Sequence, residues 1–406
     1  MISLSAGGTR VNDVMKILTR YVLSHFLMIF FMWLFIFSAG GLLIAVSQLT
    51  VKNGVSPLLA LRAVPFTLPS LMCFSLPAAS LLGGTLFFAK MTGSNEMIAL
   101  KAMGVPPWKA LLPVWIALVF ISCFAVWCSD LSFSWGQNGV MRLVASGAEE
   151  MILGQLASEG KFTDPQKNIT LTANEVTKSG ELKQVKFTAN NPPLKGEAAG
   201  GRIEVETETE PPIVRIKLHG LLLDTSGATV MQNDTFTLVI PMDQFNVTGG
   251  SSHYHSIREV KGVLEKLRAD EEKVRRQNAA RTVFALVKGD FDTWQKPEWG
   301  ERWDYEEYIK YQYNRANMTT NRSLSTGFTC FFFNWVGIPV AIWLNRSDYF
   351  SSFFVSFLPT IAIYYPLLML GYSCAKEGLA PPEICWIGNI VLGVIGFCIL
   401  KKIHRH

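Results

Sequence analysis

Six stretches of the chain run for 17 to 27 residues without one Asp, Glu, Lys or Arg: 21–47, 63–89, 110–129, 325–344, 350–374 and 384–400. A helix needs about 20 apolar residues to cross a bilayer core about 30 Å thick, so each stretch is read as a membrane span. The first is too long for the apolar core of a signal peptide and no A-x-A-like site closes it, so it should stay attached. The last is short, and Pro381, Pro382 or Glu383 is expected to supply an interfacial first turn.

Between the third and fourth spans the period changes. NITLTANEV, LKQVKFTAN, RIEVETETE, PIVRIKLHGLLLDT and TFTLVIPM alternate or run apolar between the breakers SG, NPP, EPP and TSG, which predicts antiparallel strands over about 160–248. From 256 to 288, Ile257, Val260, Val263, Leu264 and Leu267 recur at helical spacing among alternating charges, which predicts a helix leading back towards the membrane. Residues 289–314 mix Trp and Tyr with charge and suit either a bilayer interface or a surface packed on its own domain. The fold expected is an α-helical membrane protein with six transmembrane helices, three plus three, and an inserted periplasmic antiparallel β-domain of jelly-roll type. Its parts are an N-terminal membrane half (1–129), the β-domain (130–255), a charged and aromatic helical connection (256–324) and a C-terminal membrane half (325–406).

Composition agrees with two solvents. Of the 406 residues, 49% are apolar and only 17% charged, against about a quarter charged in an average soluble chain. Residues 130–324 hold 27 of the 32 acidic and 24 of the 37 basic side chains, so that stretch carries −3 and the rest +8. Cytoplasmic flanks retain the excess of Lys and Arg. With the N-terminus inside, Arg10, Lys16, Arg20, Lys90, Lys101, Lys109, Arg346, Lys401, Lys402 and Arg405 fall on that side, and only Lys52, Arg62 and Lys376 on the other. Both termini are therefore expected in the cytoplasm and the insert outside. All seven cysteines lie in or beside apolar runs, where they act as small buried hydrophobes rather than a disulfide framework.

Several chemistries find no footing. There is no G-x-x-x-x-G-K-[ST] to cradle nucleotide phosphates, no H-E-x-x-H, no paired Cys-x-x-Cys and no G-x-S-x-G. The chain is expected to be no enzyme, to hold no metal or cofactor and to bind no nucleic acid. His253 and His255 alternate in a loop where a solvated turn outweighs a metal pair. Ion-coupled carriers keep ionisable groups in their spans. Here only His25 lies within one, a turn from its cytoplasmic end, so fuel for any uphill work must come from a partner. Pro65, Pro69 and Pro77 are expected to bend the second span, and Gly83 and Gly84 to let a neighbour approach closely; helices opened this way can line a lateral cavity, ordinary tolerance of Pro and Gly being the plainer alternative. Asn334 and Asn389 are expected to hydrogen-bond between helices.

The loop KMTGSNEMIALKAMGVPPWK, residues 90–109, is the most informative stretch. Ser94 can cap a short helix, Glu96 occupies its first turn, and Met97, Ile98, Leu100, Ala102 and Met103 make it apolar before Gly104 and Pro106-Pro107 stop it. A short helix with one acid at its tip suits a groove on a cytoplasmic partner, lipid-surface contact being the alternative.

SNEMIALKAMGVPPWKALLPV closely resembles the coupling segment of the LptF/LptG (YjgP/YjgQ) lipopolysaccharide-export permeases. VGIPVAIWLNRS and AIYYPLLMLGYSCAKEGLAPPEICWIGNIVLGVIGFCILKK resemble their last three helices, and ILTRYVLSHFL their opening. The resemblance implies a non-catalytic half-transporter in a bacterial inner membrane. It would pair with a second LptF/LptG-like permease, be driven by a cytoplasmic LptB-like ATPase, and pass lipopolysaccharide from the outer leaflet along the β-domain to a periplasmic LptC/LptA-like bridge. On matched positions, Glu96, Met97, Leu100, Ala102, Met103 and Gly104 would meet the ATPase. Lys52 and Arg62 would attract lipid phosphates, a charge-assisted pairing; ordinary loop charge is the other reading of these two. The first span departs from the family, ending AGGLLIAVSQ with only Lys52 after it, and the 256–322 connection is long. Two rivals are a mechanotransmission-type ABC permease and an envelope scaffold or sensor, neither of which carries lipid.

Overall fold

The computed structural model describes residues 5–53, 57–140, 142–143, 161–164, 169–176, 181–190, 193–206, 213–225, 228–232, 236–241, 256–289, 297–344 and 349–405. The His253/His255 pair and residues 290–296 of the aromatic stretch lie outside them. The chain forms two compact units, one of residues 1–41, 69–134 and 254–406, the other of 42–68 and 135–253.

The first unit is helical. It takes most of α1 (Ser5–Asn53) and α2 (Pro57–Gly93), then a hook, α3 (Glu96–Ala102), followed by α4 (Pro107–Leu131), α5 (Val260–Lys288), α6 (Pro297–Leu344), α7 (Tyr349–Lys376) and α8 (Ile387–Arg405). Among the described residues six helical segments are long and apolar enough to span: Met15–Val51, Pro57–Gly93, Trp108–Val140, Tyr305–Leu344, Phe353–Lys376 and Pro382–Lys402. The last begins with the expected turn, a 3-10 segment at Pro382–Trp386. The fourth differs from expectation, because its helix starts at Pro297 rather than near 325 and is roughly 70 Å long. Neither Gly nor Pro interrupts residues 301–326. Ile309, Ala316 and Met318 are buried there, so the helix carries a packed face well before its uncharged stretch begins.

Close crossings hold these helices together. A Cβ on Gly83 would sit 3.3 Å from the Phe30 backbone of α1, and one on Gly84 would strike the Asn334 side chain of α6. A Cβ on Gly327 would lie 2.8 Å from the Val126 backbone nitrogen of α4. Asn334 Nδ2 donates to Ser80 Oγ of α2 at 3.1 Å, and Asn389 Nδ2 of α8 donates to the Ser325 carbonyl of α6 at 2.8 Å, the interhelical role expected of both. Thr329 bonds Tyr364 at 2.7 Å and Thr326 bonds Tyr372 at 3.0 Å, tying α6 to α7. The glycines of α2 thus admit close neighbours, as expected of them. α2 is the most buried span, with 67% of its most apolar window inside the protein, against 6% for α1. The apolar wall open to lipid or to another chain belongs to α1, where Met28, Phe31, Phe35 and Leu43 are exposed.

α5 lies against α6, with Asn278 Nδ2 donating to Glu306 Oε2 at 3.0 Å. Its approach is pinned where the Ile257 amide donates to Asp130 Oδ1 at 2.7 Å. Gly289 ends it in a left-handed conformation, φ 68°, which glycine adopts without a Cβ penalty.

The second unit carries a seven-stranded antiparallel sheet: β1 (Lys161–Asp164), β2 (Ile169–Val176), β3 (Glu181–Asn190), β4 (Pro193–Glu206), β5 (Ile213–Thr225), β6 (Ala228–Gln232) and β7 (Phe236–Pro241). The order is β1-β2-β3-β4-β5-β6, and β7 shares the outer edge of β5 with β6, pairing Ile213–Leu218 while β6 pairs Leu221–Thr225. Each strand through β6 pairs antiparallel with its sequence neighbour. The alternation predicted β2, β3, β5, β7 and the end of β4. β1 and β6 are too short to show a period, and the first half of β4 hides behind Gly196, Gly200 and Gly201. The 42–68 segment packs through Leu49, Ala60 and Ala63 against Leu143, and Phe66 meets Trp135 with ring centroids 4.7 Å apart.

Candidate functional site

The hook between α2 and α4 is built by three backbone decisions. Asn95 takes a left-handed conformation (φ 61°) and turns the chain out of α2; α3 then makes two turns; and Gly104, with φ 78°, ends it before Pro106 and Pro107 open α4. Asn tolerates positive φ better than most side chains, and Gly has no Cβ to resist it. The expected Ser94 cap does not form. Asn95 occupies the cap position without a side-chain bond, and Ser94 Oγ instead donates to the Lys90 carbonyl at 3.0 Å and to Glu96 Oε1 at 2.9 Å.

The two faces of α3 differ. Met97 and Leu100 are buried, 3% and 8% exposed, in a cluster that gathers Val22, Phe26 and Phe30 of α1, Phe87, Phe88 and Met91 of α2, Leu111 and Val114 of α4, and Ile338 of α6. Ile98, Ala99, Ala102, Met103 and Gly104 are exposed, with Ile98 at 53% and Met103 at 65%. Trp108, 48% exposed, follows at the start of α4. Burying a Met or Leu side chain stabilises by about 1.5–3 kcal/mol, so Met97 and Leu100 root the hook while the other face remains free to bind. Only part of the sequence-predicted set therefore faces outward in this chain.

Glu96 is half-buried between the two faces. Tyr21 of α1 donates its hydroxyl to Glu96 Oε2 at 3.0 Å. The Tyr21 ring rests on His25, centroids 4.4 Å apart, and His25 Nδ1 lies 3.0 Å from the Tyr21 carbonyl. Sequence reading missed Tyr21, because 75 positions separate it from Glu96.

The pair expected at the opposite end of the spans is less defined. Lys52 stands in the last turn of α1, and its side chain lies outside the described residues; Arg62 is exposed on α2. Both belong to the second unit. Two further cations went unforeseen because the fourth span was placed after them. Arg315 is 5% exposed in α6, and Arg322 stands over the rings of Tyr372 (5.3 Å) and Phe133 (5.9 Å). Their seven-residue spacing puts them on one face of that helix. A cleft of about 1020 Å³ opens beside α5 and α6 next to the end of α7, lined by Glu271, Arg275, Glu306, Lys310, Tyr311 and Lys376 among others. Among the described residues no group of three or more His, Cys, Asp or Glu side chains converges as a metal site would require.

Six apolar helices of spanning length, crossing on glycines and tied by buried amides, with a small antiparallel sheet inserted between the third and fourth, define a multi-pass membrane protein. The model of the family described as Lipopolysaccharide export system permease LptF/LptG matches residues 16–402, nearly the whole chain, and the protein belongs to that family. Members are transporter subunits of the lipopolysaccharide export system, so lipid and membrane are its partners. No curated protein matches the sequence.

Proposed function

We propose that this chain is one permease half of an ATP-driven lipopolysaccharide exporter in a bacterial inner membrane, with both termini and the hook in the cytoplasm and the sheet in the periplasm as part of a jelly-roll. A second LptF/LptG-like permease completes the lipid path, an LptB-like ATPase docks on the hook, and an LptC/LptA-like bridge receives the lipid. The observation that carries the reading is the division of α3, with Met97 and Leu100 rooted in the core and Ile98, Ala102 and Met103 exposed around Glu96. A lever needs both a root in the helices it moves and a free face for what moves it.

Closure of the ATPases on nucleotide would press the free face. The root lies in a cluster to which α1, α2, α4 and α6 all contribute, so displacement reaches each of them as strain in a close-packed core. α1, apolar and open along most of its length, forms one wall of the lipid path. Lys52 and Arg62 draw the lipid's phosphates from the outer leaflet, and the edges formed by β1 and by β6 with β7, which pair with no further strand among the described residues, offer backbone to a bridging strand.

Replacing Glu96 by Arg reverses the charge at the edge of the free face. The variant should lose the ATPase on co-purification while keeping the wild-type thermal unfolding profile. Full retention of the ATPase would remove the hook from the docking surface.

A further inference from the structure

The tyrosine that bonds Glu96 stands on the least buried span. α1 buries Val22, Phe26 and Phe30 in the helical core at four-residue spacing, with Leu18, Leu27, Trp33 and Phe37 partly buried beside them, while Met28 and Phe35 are exposed on its other side. Phe87 of α2 lies 6.5 Å from the Tyr21 ring between centroids, so the ring is held from the side by His25 and Phe87 while its hydroxyl reaches the hook. Each carboxylate oxygen of Glu96 accepts one bond from its own chain, Oε1 from Ser94 and Oε2 from Tyr21. A carboxylate has about four lone-pair sites, so two remain for a partner's cation. Occupation of Glu96 from the cytoplasm therefore need not break the bond to Tyr21.

We propose that Tyr21 is a positioning residue, a tie rod through which displacement of Glu96 pulls the near end of α1, so that the least packed wall of the bundle moves with the hook. Met97 and Leu100 press on a core shared by several helices and carry no preference among them. The Tyr21–Glu96 bond is directed at one. The proposal rests on the reading of the hook as the ATPase contact, and its test is arranged so that the two can fail separately.

The test uses the complete exporter, this chain with its partner permease and ATPase, reconstituted in liposomes containing lipopolysaccharide. Tyr21→Phe keeps the ring on His25 and Phe87 and deletes only the hydroxyl. ATPase co-purification and basal ATP hydrolysis should stay within about twofold of wild type, whereas lipopolysaccharide delivered per ATP hydrolysed should fall by about tenfold or more, the scale of one hydrogen bond to a charged group. Ser94→Ala removes the other donor to the same carboxylate without touching α1, and should keep the wild-type ratio. Spin labels at Ile17 and Ala99, both exposed, read the tie directly. Their distance should hold constant between nucleotide-free and ATP-trapped complexes with Tyr21 present, and should change with Phe there. A wild-type transport ratio in Tyr21→Phe, or labels that separate equally in both proteins, overturns the tie while leaving the hook intact. Retention of the ATPase by Glu96→Arg overturns the hook reading instead.

Discussion

At Gly327 α6 crosses close to the backbone of α4, and replacing it by Val measures how the helices are held. The first added carbon would lie 2.8 Å from the Val126 amide nitrogen and 3.1 Å from its Cα. Non-bonded heavy atoms prefer about 3.5–4.0 Å, so the helices must part by roughly 0.5–1 Å along a rigid backbone. Overpacking of this kind costs about 1–3 kcal/mol, and the upper end applies because backbone cannot rotate away and two more methyls follow the first carbon. Val returns only about 0.4 kcal/mol over Gly in helix propensity. The expected net loss is about 2 kcal/mol, roughly 30-fold in the unfolding equilibrium. Gly262 in α5 is the control, since a Cβ there meets nothing within 4 Å. Ala at that position should stabilise by about 0.5–1 kcal/mol through reduced backbone entropy. Equilibrium unfolding in mixed micelles, followed by tryptophan fluorescence, measures both variants. If Gly327→Val and Gly262→Ala shift stability in the same direction, or neither moves it by more than about 0.5 kcal/mol, the close crossing of α4 and α6 is refuted.

Three further predictions address other parts of the protein. Met103→Glu, on the exposed face of α3, should weaken ATPase co-purification with little change in unfolding, while Leu100→Glu should destabilise the protein by more than about 3 kcal/mol because it buries an unpaired charge in the core; equal unfolding profiles would contradict the two-faced hook. Asn334→Leu removes the donor to Ser80 and to the Cys330 carbonyl at a site with no exposure, and should cost about 0.6–1.7 kcal/mol, measured in the same micelles; no loss would mean that the amide is dispensable. Asp130→Ala deletes the acceptor of the Ile257 amide and should increase hydrogen exchange in the first turn of α5 at least several-fold, against unchanged exchange if that bond does not anchor the helix.

Sequence alone determined what the bilayer demands. Lipid offers no partner to backbone or charge, so residues inside it must form uncharged helices, and six uncharged runs mark six spans without reference to any contact. The sheet's longer strands were legible for a related reason, because a half-buried strand alternates with period two. The hook's end followed from Gly104 and the prolines after it, whose backbone restrictions are local, whereas its start at Asn95 did not. What the tertiary structure decided concerns pairs of residues far apart in the chain. An amphipathic pattern does not separate Met97 and Leu100, which bury, from Ile98 and Met103, which stay outside, on a helix of two turns bearing apolar side chains all round. No local signal assigns Gly83 to Phe30, Gly84 to Asn334, or Tyr21 to Glu96, since crossing angles and packing order select these partners. The early start of α6 likewise required seeing Ile309 and Met318 buried beside charged neighbours, where the packed face continues although the uncharged run does not. The chain's chemistry specified the solvent of each segment; three-dimensional packing selected which side chains meet, because contact energies depend on distances that chain order does not encode.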